Sequence, residues 1–137
     1  MRVLFGLMLV AIMAIGTNAQ EAERPWEATV TGQILAFRSG DASAALGFAG
    51  STFQRTFQDA ERFAAAINSM GYGPIIQSRS HSFAAFRQTA PDSVVQGVNL
   101  VGPDGSLYEA IYQLVNEAEL GWRVHGVVLR KSAGLST

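Results

Sequence analysis

Few side chains in this 137-residue chain are equipped to pass a proton or hold an ion: two histidines, three tyrosines and eleven carboxylates, with no cysteine. The lack of cysteine removes thiol nucleophiles, thiolate metal ligands and disulfides together. His81 is the best candidate for a general base, because histidine alone titrates near neutral pH without a large shift. Tyr108 or Tyr112 would then serve as the acid. The competing reading of His81 is a core histidine hydrogen-bonded to tyrosine or backbone, and it is the favoured one. Carboxylate catalysis needs an acid in an apolar pocket, where burial raises its pKa. Asp41 and Asp59 sit where helix caps are expected, Asp92 and Asp104 sit in turns, and Glu109 falls on the outer face of a strand, so no acid is left for such a pocket. A metal centre is not expected, since the two histidines fall on opposite sides of the predicted sheet. A serine triad is not expected either, since the chain has no G-x-S-x-G elbow and no inward acid to orient a histidine. No cofactor is expected.

A second group of residues suggests binding instead. Tyr72, His81, Gln96, Tyr108, Tyr112 and Trp122 are the expected lining of a small-molecule pocket, with apolar walls and a few convergent polar groups. The alternative is a filled core in which the tyrosine hydroxyls reach Gln96 or the rim.

The elements that must position these residues begin after a leader. Arg2, an uncharged apolar run over 3–15 and the small residues Thr17-Asn18-Ala19 have the three parts of a secretory signal peptide cut ahead of Gln20. The apolar run is short for a bilayer, which needs about 20 residues. The cleaved product, about 118 residues, suits one domain with one core. The formal charge of −1 is spread without a basic stripe, so nucleic acid is not an expected partner. No stable membrane anchor is expected after cleavage.

In the mature chain, helical periodicity comes first and strand alternation second, which predicts an α+β domain with helices on one face of an antiparallel sheet. Trp26, Val30, Ile34 and Phe37 recur at helical spacing within a helix over 25–39. Gly40 ends it and Asp41 caps a second helix over 42–49. A short helical turn is expected over 52–57, and Asp59 caps a helix over 60–70. Strands are expected over 77–87, 93–101, 106–117 and 122–130. Gly102-Pro103-Asp104-Gly105 marks a tight hairpin. With Pro103, Asp104 and Gly105 as its loop, Leu100 faces Tyr108, Val98 faces Ala110, Gln96 faces Tyr112 and Val94 faces Leu114. Opposed residues share a face, and this face is apolar enough to meet the helices. A slip of one residue would bury Glu109. In the last strand Trp122, Val124, Gly126 and Val128 are expected inward, with Arg123, His125, Val127 and Leu129 outward. On the first strand His81 and Phe83 share a side. Residues 131–137 read as a disordered tail behind a 20–130 domain.

The order and spacing of Ile34-Leu35-Ala36-Phe37-Arg38-Ser39-Gly40-Asp41, Phe57, Glu61-Arg62-Phe63, Gly71-Tyr72-Gly73-Pro74 and Gly121-Trp122-Arg123-Val124-His125-Gly126-Val127 carry a resemblance. Through them the chain resembles a family of secreted proteobacterial proteins catalogued only as a domain of unknown function (DUF4864). More broadly it is similar to the cone-shaped, cystatin-like fold of nuclear-transport-factor-like and ketosteroid-isomerase-like proteins. The resemblance implies three N-terminal helices on a curved four-stranded antiparallel sheet and an export route. It implies no activity, because that family has no established catalytic residues to carry over. His81 stands where such sequences tend to have an apolar residue.

The leading expectation is therefore a periplasmic or secreted, non-catalytic binding domain for a small, largely apolar molecule. The second is a small enzyme using His81 as base with Tyr108 or Tyr112 as acid, and the third is an envelope protein-interaction module. Val95, Val101, Leu107, Ile111, Val127 and Leu129 make the expected outer face too apolar for full solvation, which predicts a homodimer through the sheet, rimmed by Arg123, Glu109 and His125.

Overall fold

The computed structural model describes residues 24–132. The expected leader over 1–19 lies outside them, as do residues 133–137. The first helix, α1 (Trp26–Arg38), buries Trp26, Val30, Ile34 and Phe37 along one face, the stripe their spacing dictates. Gly40, at φ +75°, reverses the chain without the steric penalty a side chain would bring. Asp41 accepts a hydrogen bond from the Ala44 amide at 3.0 Å and so starts α2 (Ala42–Gly47). A short α3 (Ser51–Thr56) follows, and Asp59 caps α4 (Ala60–Ile67) through the Glu61 amide.

Here the helical expectation needs correction. Helix α2 stops short of residue 49, because Ala49 leaves it to form a parallel bridge with Val124. Helix α4 stops at Ile67 and widens into a π-helical turn, Asn68–Tyr72, in which Gly71 takes φ +98°. A single helical turn, α5 (Gly73–Ile76), follows with Pro74 in its first turn, where proline's missing amide has no intrahelical partner to lose. That turn delays the first strand, so β1 is Ser80–Ala90 rather than 77–87.

The strands β1, β2 (Ser93–Val101), β3 (Leu107–Glu117) and β4 (Gly121–Lys131) form an antiparallel meander in chain order. The β2–β3 register is the one the hairpin signal predicts: Leu100 pairs with Tyr108, Val98 with Ala110, Gln96 with Tyr112 and Val94 with Leu114. Gly105 supplies the positive φ of the loop, at +84°. Two bulges then re-aim side chains. In β1 the register shifts between Phe83 and Phe86, so both aromatics share the inner face with His81. In β4 the register shifts at His125, since Gln113 pairs with Gly126 and Leu114 with Val124. The extra residue exchanges the faces of everything beyond it. Val127 and Leu129 therefore pack on the core, and Gly126 and Val128 turn outward, the reverse of simple alternation. Lys131 extends β4 and the Ser132 amide donates to Leu107 O at 2.8 Å, so the domain runs past residue 130.

The described helices pack on one face of the sheet in two apolar clusters. One joins Trp26, Val30, Ile34 and Ile75 to the inner sheet residues; the other joins Ala36, Phe37, Ala45, Ala49 and Phe63, with Phe53, Phe57 and Ile67 against it. Each fully buried large side chain contributes about 1.5–3 kcal/mol.

Candidate functional site

A cavity of about 190 Å³ lies at the seam of the two clusters. Helix α1 supplies Gln33 and Phe37, and the 49–53 segment supplies Ala49 and Phe53. Helix α4 and the π-helical turn supply Phe63, Ile67, Met70 and Tyr72, and α5 supplies Ile75. The sheet supplies Tyr112, Val124, Gly126 and Val127. None of these thirteen residues carries a formal charge. Met70 is 67% exposed and belongs to the solvent side of the wall.

Three polar side chains belong to the lining, and their hydrogen bonds differ. Tyr72 spends its hydroxyl proton on Val127 O at 2.7 Å. Gln33 donates through Nε2 to Ala45 O at 3.1 Å, which uses one amide hydrogen and leaves the amide oxygen outside that bond. Tyr112 is 1% exposed and its hydroxyl has no hydrogen-bond partner. Burial pushes the Tyr112 phenol well above its ordinary value, so it keeps its proton and can donate.

Of the six residues expected to line a pocket, the structure therefore brings Tyr72 and Tyr112 together and leaves four elsewhere. Gln96 is fully buried but satisfied: it accepts from Trp26 Nε1 at 2.8 Å and donates to Ala84 O at 2.9 Å and Gly97 O at 2.8 Å. Trp122 packs edge-on against Trp26, ring centroids 5.4 Å apart. Tyr108 lies over Gly102 at the hairpin end of the sheet, where a Cβ would come within 2.8 Å of the ring.

His81 also lies away from the cavity, on the inner face of β1. Arg38 Nη2 is 3.3 Å from its Nδ1 and Thr31 Oγ1 is 3.0 Å from its Nε2. A guanidinium only donates, so Nδ1 accepts and the proton of the neutral ring sits on Nε2, donated to Thr31. Burial, and then the charge of Arg38, hold the imidazole below its usual pKa. The ring is thus neutral with both nitrogens engaged, and the lone pair a general base would use faces a guanidinium. Tyr112 is not among its hydrogen-bond partners.

His125, expected to face solvent or a partner subunit, is instead the bulged residue of β4. Its Nε2 lies 2.7 Å from Glu117 Oε2, which also accepts from the Ser51 amide at 3.0 Å. Burial alone would raise the Glu117 carboxyl; the Ser51 amide and hydroxyl and the His125 ring outweigh it and hold the carboxyl below its ordinary value. This link joins β3, β4 and the start of α3, which carries the cavity residue Phe53.

Sequence reasoning missed the other eleven lining residues, Gln33, Phe37 and Phe63 among them. Gln33 alone carried a signal, as a polar residue inside the apolar stripe of α1. The rest lie in apolar runs that predict burial equally well with or without a gap behind them.

Helices laid over one face of a four-stranded antiparallel meander define an α+β protein, and a similar solved structure has a cystatin-like fold. That neighbour, from Nostoc punctiforme, is a domain of unknown function; it is 14% identical, with TM-score 0.53 over 88% of this chain and 82% of its own. At that identity the likeness is one of fold. The chain belongs to the family described as a domain of unknown function (DUF4864), which matches residues 19–137. No curated protein matches the sequence.

Proposed function

We propose that the protein is an exported, non-catalytic binding domain whose cavity takes a small, largely apolar molecule. The observation that carries this reading is the uncharged cavity of about 190 Å³ between the two apolar clusters, its lining apolar apart from Gln33, Tyr72 and Tyr112. The size suits a compact ligand, since a cavity of about 150 Å³ holds a benzene ring. Against the enzyme reading stand the engaged nitrogens of His81 and its distance from the cavity wall. Export rests on the leader-like segment over 1–19. Native mass spectrometry of protein purified from its own host tests the proposal: a co-purified small molecule on a chain beginning near Gln20 supports it. A ligand-free protein that no small apolar compound stabilises against heat overturns it.

We also infer a homodimer through the outer face of the sheet. Leu107, Ile111 and Val128 are 48%, 49% and 68% exposed there, and Ile111 and Val128 are direct cross-strand partners. Glu109, between the two β3 residues, is already paired with Arg130 at 2.7 Å, so the patch presents little uncompensated charge. A two-fold axis sets such a patch against itself. Val127 and Leu129 drop out of the expected interface because the β4 bulge turns them inward. Sedimentation showing a dimer that Ile111→Asp dissociates supports the inference; a monomer at micromolar concentration sinks it.

A further inference from the structure

We propose that the open edge of β1 receives an extended peptide segment rich in acidic side chains, which adds to the sheet as a further strand. This inference does not rest on the cavity. Among the described residues β1 is an edge strand, so along it alternate residues turn their amide and carbonyl away from β2. Such edges are often blunted by lysine or proline. Ser80–Ala90 holds neither, and its one formal charge is Arg87. The register shifts of β1 leave 80–83 and 86–88 in regular pairing with β2, as templates for an added strand. Residues 84–89 are exposed, inner and outer side chains alike, and the Phe86 ring is 39% exposed among them.

Charge names the occupant. Arg79 continues β1 at one end, its amide donating to Val101 O at 2.8 Å, and Arg87 lies toward the other. Arg24 sits over the Phe86 ring at 4.6 Å, and Arg38 reaches His81 Nδ1 at 3.3 Å. Arg24 shares its charge with Glu27 at 3.7 Å; among the described residues Arg38, Arg79 and Arg87 have no ion pair. Asp92, in the turn after β1, accepts from Ser93 Oγ at 3.2 Å. A second copy paired through β1 would set Arg87 against a strand that holds no carboxylate. An acidic extended segment meets the cations and the backbone together. In strand addition of this kind the main-chain bonds give affinity and the side chains give selectivity.

Two blocked peptides, acetyl-Glu-Val-Glu-Val-Glu-amide and its lysine counterpart, test this on the purified protein by NMR titration with amide hydrogen exchange. The glutamate peptide is expected to bind with Kd below about 1 mM and about five-fold or more tightly than the lysine peptide. It should slow exchange at amides within 80–90. A double variant, Arg79→Glu with Arg87→Glu, changes only exposed side chains and should reverse the preference. N-methylation of the middle three residues of the glutamate peptide blocks both of its edges and keeps its charge, and it should abolish binding. Failure of the glutamate peptide to bind at about 1 mM overturns the proposal. Equal binding of the two peptides removes the arginines from the role. An N-methylated peptide that binds as well as its parent rules out strand addition, and protection confined to β4 overturns the assignment to β1.

Discussion

Trp26 and Gln96, seventy positions apart in the chain, are joined by a buried hydrogen bond of 2.8 Å from the indole Nε1 to the amide oxygen. The same amide gives its two hydrogens to Ala84 O, in the β1 bulge, and to Gly97 O. One side chain thus ties α1, β1 and β2 together. Gln96→Leu keeps the volume and orphans an indole donor and two carbonyls. It should cost at least about 2 kcal/mol, read as a lower midpoint in denaturant. A loss under about 0.5 kcal/mol would show that solvent replaces the amide.

Tyr112→Phe should act in the opposite sense. The hydroxyl is buried and unpartnered, so its removal takes away a desolvated polar group and no bond. The ligand-free protein should unfold at equal or higher stability, by up to about 1 kcal/mol. A clear destabilisation would mean the hydroxyl is satisfied in solution.

His81 should make stability depend on pH. Its pKa is held below the ordinary value by burial and by Arg38, so around that range the unfolded chain binds more protons than the folded one. Its contribution is complete above the unfolded value, about 6.5, and is lost as pH falls through the folded value. His81→Gln, which can still donate and accept, should flatten the stability profile between about pH 7 and pH 5. Unchanged slopes would remove His81 from this account. Glu117, also held low, contributes in the same direction at more acidic pH.

Gly50 is a steric requirement and not a conformational one. Its φ of −65° and ψ of 164° suit alanine, yet an added Cβ would meet His125 Nε2 at 2.7 Å and Glu117 Oε2 at 3.0 Å. Gly50→Ala should cost about 1–3 kcal/mol, and His125→Ala should return much of it in the double variant, a non-additivity expected only of residues in contact. Additive losses would contradict the clash.

Much of the architecture could be read from the residues, and the reason differs by element. Asp41 and Asp59 mark helix starts because a carboxylate there satisfies amides that the helix leaves open. The β2–β3 register followed from Gly102-Pro103-Asp104-Gly105, since a loop of fixed length leaves one pairing that keeps Glu109 out of the core. Strand β4 defeated the same logic: the bulge at His125 adds a residue with no compositional mark, and every later side chain changes face. The cavity was hidden for a different reason. Periodicity reports which residues leave water, and a gap is a shortfall of volume between Phe37, Phe63 and Tyr112, residues far apart in sequence. Gln96 and Trp122 looked like ligand groups because their mutual partner, Trp26, lies in another half of the chain.

The parallel bridge between Ala49 and Val124 has a consequence for how molecules could stack. The 48–50 segment donates to and accepts from Val124 on the outer edge of β4, so another strand cannot pair with that edge at Val124. Among the described residues β1 and β4 are the two edge strands, and β4 is covered only around Val124. The bridge thus interrupts one of the two sheet edges near its start, which hinders an added strand from running the full length of β4 and leaves the β1 edge as the continuous one.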